Sequence, residues 1–163
     1  MSINTKKVTG RRQVRYSSLD ELLAEAERLS APDVQMPGNW TPGQIYEHLA
    51  KTMNSSIDGF SRLMPAPARW LLTLLMKHKF LKKGLPAGFK STTEFIPDAT
   101  SVDDGLSSLR QAVSRQRNES VRAPHPGFGN ITRDEWNDFH LRHAELHMSF
   151  LVDAAMVPAS KAG

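Results

Sequence analysis

Two histidines near the C-terminal end of the chain have the spacing of a metal-binding pair. His143 and His147 are four residues apart, so that on a helix their imidazoles lie on one face, one turn apart. His140 adds another imidazole three residues before His143. Neutral imidazole binds zinc, nickel, iron or copper, and a set of three leaves coordination positions open for water or substrate. The spacing therefore predicts a metal site that takes a further ligand from another helix.

His48 is the candidate for that further ligand. It lies about two turns after the start of an earlier predicted helix, and His147 lies about two turns before the predicted end of the last one. If those helices are antiparallel neighbours, His48, His143 and His147 reach a similar height and can hold one divalent metal ion. His140 is the candidate for catalytic proton transfer beside the metal, and it also fits an alternative ligand or a cavity-lining residue.

Capping signals predict the four main helices that position these histidines. A Ser or Thr before a helix, with an acidic residue or Gln three positions later, satisfies backbone N–H groups at the helix start. The predicted helices have their caps at Ser18 with Glu21 (to about Arg28), Thr41 with Gln44 (to about Arg62), Ser101 with Asp104 (to about Arg117), and Thr132 with Glu135 (Arg133 to about Met156). On the fourth helix the histidine stripe is predicted to face inward, and Arg142 and Glu145 to lie opposite it.

The connection between the second and third main helices is long and irregular. It contains a short apolar helix with a basic end, from Ala68 to Lys83, followed by several glycines and prolines. Such a length suits a helix bundle with a crossover connection rather than a tight turn. Within it, Trp70 to Met76 is predicted to be buried, while the basic end could meet lipid head groups or acidic substrates.

Composition limits the classes of protein and of site. The chain has 163 residues and no cysteine, which excludes thiolate ligands and disulfides within it. Its net charge is +4, and the basic excess sits in Lys6–Arg15 and Lys77–Lys83, neither of which is a nucleic-acid-binding motif. We expect a basic arm at 1–15, one domain at 16–157 and a flexible tail at 158–163. The longest apolar stretch is too short to cross a bilayer, so we expect a cytoplasmic protein.

Another histidine lies in the loop before the fourth helix. His125 belongs to a turn-rich loop, Pro124–Asn130. Helix geometry puts the start of the fourth helix roughly 16 Å from His143. We therefore expect His125 to form the turn, unless this loop folds over the helices.

Two motifs resemble those of the DinB/YfiT-like metalloprotein superfamily. They are the run Trp40 to Gln44 followed by His48, and the run His143 to His147. Further runs, at 38–40, 56–60, 125–129 and Trp136, resemble an uncharacterised bacterial branch, domain-of-unknown-function family 1569. The resemblance spans about Arg12 to Leu151. It departs at Leu146, where the branch often has another histidine.

The resemblance implies an all-α fold, a DinB-like four-helix bundle with its long crossover between helices 2 and 3 and a short extra helix within that crossover. It also implies a divalent metal held by His48, His143 and His147, with zinc or nickel as first candidates and iron or manganese as alternatives. Characterised relatives include metal-dependent thiol transferases and a thiol-dependent isomerase, which bring a low-molecular-weight thiol to the metal. Homodimers are common among such relatives.

The sequence leaves three classes of function open. The first is a metal-dependent enzyme that acts on a small molecule, as a thiol transferase or, with less support, as a hydrolase. Hydrolysis has less support because the metal-facing stripe carries no acidic residue to act as a general base. The second is a non-catalytic four-helix module that binds a ligand or partner. The third is an accessory protein that uses its two basic segments on a membrane or nucleic acid.

Overall fold

The computed structural model describes residues 3–31, 34–88 and 92–153, and this part of the chain is mostly helical. The all-α expectation is therefore confirmed, and the predicted tail at 158–163 lies outside the described residues. A short antiparallel sheet pairs Val34 with Asp153 and Gln35 with Val152. In chain order the elements are α1 (Leu19–Arg28), β1 (Val34–Gln35), α2 (Pro42–Asp58), α3 (Ala66–Leu72), α4 (His78–Lys83), α5 (Val102–Asn118), α6 (Arg133–Met148) and β2 (Val152–Asp153).

Two helices begin with the capping boxes that the sequence predicts. The Thr41 hydroxyl accepts a hydrogen bond from the Gln44 backbone N–H, and the Gln44 side chain accepts one from the Thr41 N–H. Thr132 and Glu135 make the same two bonds at the start of α6. The helices that carry the candidate ligands thus start at the predicted residues, which sets the position of each histidine along its helix.

One apolar core joins α1, α2, α5 and α6. Each helix contributes side chains with no more than 1% exposure, among them Leu22, Leu49, Leu109 and Ala144. The connection from α2 to α5 is long, and it contains α3, a π-helical turn (Thr73–Lys77) and α4. The core therefore holds α2 and α6, which carry the histidines, against each other.

Two glycines allow α2 and α5 to approach closely. A Cβ atom on Gly43 would lie 2.3 Å from the backbone oxygen of Ser101, and one on Gly105 would lie 2.3 Å from the backbone oxygen of Gly43. Any other residue at either position would push the two helices apart.

Both helices that carry the histidines end earlier than predicted. The prediction that α2 continues to about Arg62 is wrong, because the helix ends at Asp58 and Gly59 follows with a φ of 107°. Such a positive φ suits glycine and stops the helix. The prediction that the last helix reaches about Met156 is also wrong. It ends at Met148, and Val152 and Asp153 pair with β1 instead.

The predicted burial of the crossover helix is wrong as well. Trp70 is 69% exposed, and Leu71, Leu74 and Leu75 are each at least half exposed. Hydropathy alone indicates that such a run is buried, but this helix meets the protein along its other side only. No helix among the described residues is both long enough and apolar enough to cross a membrane.

The inner side of this helical segment is fixed to the loop before α6 and to α6 itself. The Phe80 ring meets the Phe128 ring edge-on, with centroids 6.1 Å apart, and Lys77 forms an ion pair with Glu135 at 2.7 Å. Phe80 and Leu81 are buried at its C-terminal end. The segment is therefore held firmly with its apolar face directed outward.

The residues opposite the histidines on α6 are also buried. Arg142 and Glu145 are 5% and 8% exposed. Arg142 donates hydrogen bonds to Glu145 and to the backbone oxygen of Tyr16, while Glu145 accepts one from the Tyr16 N–H. The chain before α1 crosses this face of α6, so the charged pair fastens the N-terminal segment to the core.

Candidate metal centre

The structure brings His48, His143 and His147 together between α2 and α6. One ligand atom from each lies within 4.8 Å of the other two. The Nε2 atom of His143 is 3.2 Å from Nε2 of His48 and 3.0 Å from Nε2 of His147. The three residues predicted from spacing therefore form one cluster.

Hydrogen bonds assign the ring proton of His48. Its Nδ1 lies 2.7 Å from the backbone oxygen of Phe95, in the crossover connection. A carbonyl oxygen only accepts, so Nδ1 carries the proton and donates it. The Nε2 atom of the neutral ring is then an unprotonated lone pair directed at the other histidines.

The same reasoning applies to His143, although its contact is longer. Its Nδ1 lies 3.5 Å from the Thr52 hydroxyl, which donates its own hydrogen to the backbone oxygen of Leu49. The hydroxyl can therefore only accept from His143, so the tautomer with its proton on Nδ1 satisfies both groups and leaves Nε2 free for a metal ion. In that tautomer the Nε2 lone pairs of His48 and His143 face each other at 3.2 Å.

These separations fit a shared cation. A metal ion about 2.1 Å from two imidazole nitrogens separates them by about 3.0 Å at a right angle and about 3.4 Å at the tetrahedral angle. The observed Nε2 separations from His143 are 3.0 and 3.2 Å. The donor set contains nitrogen only, which suits zinc, nickel, iron and copper better than calcium or magnesium.

Burial keeps all three imidazoles neutral. It is the main cause of the lowered pKa of His48 and of the pKa values of His143 and His147, which lie well below the usual range. The neighbouring imidazoles lower the pKa of His143 further, because a second positive charge there would be unfavourable. The lone pairs are therefore free of protons at neutral pH.

An aromatic cavity of about 1160 Å³ opens onto the cluster. The Trp40 ring lies 4.7 Å from the ring of His48 and stacks 5.4 Å from that of His147. Phe139 stacks on His143 at 5.8 Å. Aromatic walls of this kind hold the imidazoles in place and exclude water from their faces.

His140 lies one turn before His143 but is held by other groups. It is 1% exposed, its ring stacks on Trp136, and its Nε2 lies 3.0 Å from the Ser56 hydroxyl. That hydroxyl donates to the Met53 backbone oxygen, so it accepts the His140 proton and leaves Nδ1 buried without a partner among the described residues. Burial lowers the pKa of His140 to about 3. Its role in catalysis stays a prediction.

His125 forms the turn, as predicted, and its loop also folds over the helices. Its Nδ1 accepts hydrogen bonds from the backbone N–H groups of Gly127 and Phe128. The ring lies 4.6 Å from Phe139, and it lines the same cavity as the three clustered histidines. Burial lowers the pKa of His125 to about 4.

Sequence reasoning missed the groups that surround the histidines. In the sequence, Trp40 stands out only within the run Trp40 to Gln44, although its size and its position just before α2 could have indicated contact with His48. Thr52 lies one turn after His48 and is recognisable from that spacing. The Phe95 oxygen belongs to an irregular segment, and no sequence pattern points to it.

Comparison with known proteins identifies a family whose function is unknown. A family model described as "Protein of unknown function (DUF1569)" matches residues 8–154. No curated protein matches the chain, and no solved structure matches it. The match covers all three clustered histidines, so the cluster lies within the family's domain.

Proposed function

The chain belongs to the DUF1569 family of unknown function, and we propose that it is a divalent-metal-binding protein of the DinB-like class. The arrangement of α1, α2, α5 and α6 around one core supports a DinB-like four-helix bundle. The long crossover between α2 and α5, with α3 and α4 inside it, agrees with that class.

One observation carries the metal proposal. The Nε2 atom of His143 lies 3.2 Å from that of His48 and 3.0 Å from that of His147, and the Phe95 oxygen leaves Nε2 of His48 unprotonated. Three imidazole nitrogens at these separations can share one cation, which replaces the repulsion between their lone pairs with attraction. Three neutral imidazoles supply no negative charge, so a bound divalent ion keeps its full charge for lowering the pKa of a thiol or water.

The other residues of the site suit a reaction of a thiol with an electrophile. The aromatic cavity can hold an apolar electrophile and limit the access of water. The chain has no cysteine, so a small thiol would have to enter from solution. Glu94 is the one carboxylate among the described residues that line the cavity, and it accepts a hydrogen bond from Ser61. Thiol transfer is therefore the favoured reaction, and hydrolysis is less favoured.

Metal analysis of purified variants tests the proposed site. We expect about one divalent ion per chain in the wild type and loss of that ion in His143→Ala. His78→Ala is the matched control, because His78 is an exposed histidine of α4 and should leave the metal content unchanged. A wild-type protein that takes up no zinc, nickel, iron or manganese would refute the proposal.

A second experiment separates an enzyme from a binding module. Low-molecular-weight thiols are screened with electrophilic substrates, and circular dichroism checks the fold of each variant. We expect turnover in the wild type and none in a folded His48→Ala variant. Stoichiometric metal without turnover for any thiol would favour the non-catalytic module.

A further inference from the structure

The helical segment between α2 and α5 carries an exposed apolar face that the metal site does not use. Of the ten large hydrophobic side chains that are exposed in the described chain, six lie between residues 63 and 75. Trp70, Leu71, Leu74 and Leu75 form two successive turns of that face, each at 50% to 69% exposure. Single exposed apolar residues are common, but a cluster of this kind marks an interaction surface.

The same stretch contains a strong excess of positive charge. Residues 59–88 include six lysines and arginines and no acidic residue. The rest of the chain then has 15 basic and 17 acidic residues, so this stretch accounts for the positive charge of the whole protein. The segment therefore combines apolar and cationic character.

Two exposed cations follow the apolar face and remain free. Lys77 and Lys82 are paired with Glu135 and Asp138 of α6. Lys79 and Lys83 are exposed and form no ion pair with any residue that the structure describes. Free positive charge therefore lies at the C-terminal end of the apolar face.

We propose that this face, Trp70 to Leu75 with Lys79 and Lys83, is a docking surface for an anionic lipid membrane. A surface helix of this type places Trp and Leu among the acyl chains and its cations among the lipid head groups. The inner contacts of Lys77 and Phe80 hold the segment so that its apolar face stays exposed. The whole protein would then lie on the membrane with this segment beneath it.

The alternatives fit the charges and side chains less well. A second copy of the chain would pack through the same patch on both molecules and would bring the basic segments together. Nucleic acid would neutralise the cations but would leave the leucines without an apolar partner. An anionic lipid membrane offers acyl chains to the leucines and negatively charged head groups to the cations.

Vesicle binding tests the proposal. The full chain is mixed with vesicles of phosphatidylglycerol and phosphatidylcholine, or of phosphatidylcholine alone, and the bound fraction is measured by sedimentation. We expect binding to the anionic vesicles, with a blue shift of tryptophan fluorescence, and much weaker binding to the neutral ones. Leu74→Ser with Leu75→Ser should lower the partition coefficient by about tenfold or more.

Val121→Ser is the matched control, because Val121 is 72% exposed but lies in the loop after α5. It should leave vesicle binding unchanged, whereas Lys79→Glu with Lys83→Glu should weaken binding to the anionic vesicles only. An equal loss of vesicle binding in the Val121 and leucine variants would overturn the proposal. It would also be overturned if the protein did not bind vesicles and instead formed a dimer that the leucine substitutions dissociate. Binding to RNA that those substitutions leave intact would contradict it as well.

Discussion

At the scale of single residues, metal binding requires that each clustered imidazole directs an unprotonated nitrogen at the ion. The Phe95 oxygen fixes the His48 tautomer, and the Thr52 hydroxyl lies 3.5 Å from Nδ1 of His143. Groups that orient a metal-ligating histidine through its second nitrogen contribute to the affinity of the site. Of these two groups, only the Thr52 hydroxyl belongs to a side chain, so only it can be removed by substitution.

The Thr52 hydroxyl should therefore affect metal affinity. We expect Thr52→Val to weaken zinc binding by about tenfold, because the valine cannot accept the His143 proton. Thr52→Ser keeps an acceptor at this position and should retain most of the affinity. A competition titration against a chelator measures both variants. Equal affinities of the valine and wild-type proteins would show that the 3.5 Å contact does not orient His143.

Residue types and spacing were enough to predict the three clustered histidines but not their surroundings. An i, i+4 pair on α6 and a single histidine on α2 are visible in the sequence, and the structure brings them together. Leu146, the one residue at which the chain departs from the pattern of the family it resembles, lies in the cavity wall beside His147. The Phe95 carbonyl could not be predicted, because it is a backbone group in a connection without regular pattern.

At the scale of the elements, the starts of the helices were predicted better than their ends. The starts depend on local capping bonds at Thr41 and Thr132, which the sequence shows directly. The end of α6 depends on pairing between β1 and β2, which are far apart in the sequence. Burial of the crossover helix also depends on whether another element covers it, and local hydropathy does not reveal that.

The close approach of α2 and α5 predicts that Gly105→Ala lowers the stability of the protein. Gly105 lies inside a helix, where propensity alone would make Gly105→Ala stabilising by up to about 1 kcal/mol. The added Cβ would lie 2.3 Å from the Gly43 backbone oxygen, so we expect destabilisation by about 1–3 kcal/mol instead. Urea denaturation measures the change in the free energy of unfolding. An increase in stability would contradict the close approach of the two helices.

At the scale of the whole molecule, five of the six histidines have lowered pKa values, with burial as the first cause. Below about pH 6.5 the unfolded chain takes up protons at these residues and the folded chain does not. Because the unfolded state then binds more protons, the stability of the folded state falls as the pH falls.

We therefore expect the metal-free protein to lose stability between about pH 6.5 and pH 4, by up to about 1.4 kcal/mol per pH unit for each histidine. For His125 and His140 the loss continues down to pH values of about 4 and about 3. Urea denaturation across this range measures the slope. His140→Phe should make the slope shallower, and an unchanged slope would show that His140 is protonated in the folded protein.

The two proposed sites lie in different parts of the molecule. The histidine cluster lies between α2 and α6, and the basic, apolar surface lies on the outer side of the connection between α2 and α5. Neither site requires the other. A variant that loses vesicle binding should therefore keep its metal, and one that loses its metal should still bind vesicles.

The most direct test of the central claim is a crystal structure of the metal-loaded protein with data collected at the absorption edge of the metal. We predict an anomalous peak that lies within coordination distance of the Nε2 atoms of His48, His143 and His147. A peak at other residues, or no peak between these nitrogens in a protein soaked with zinc or nickel, would contradict the account.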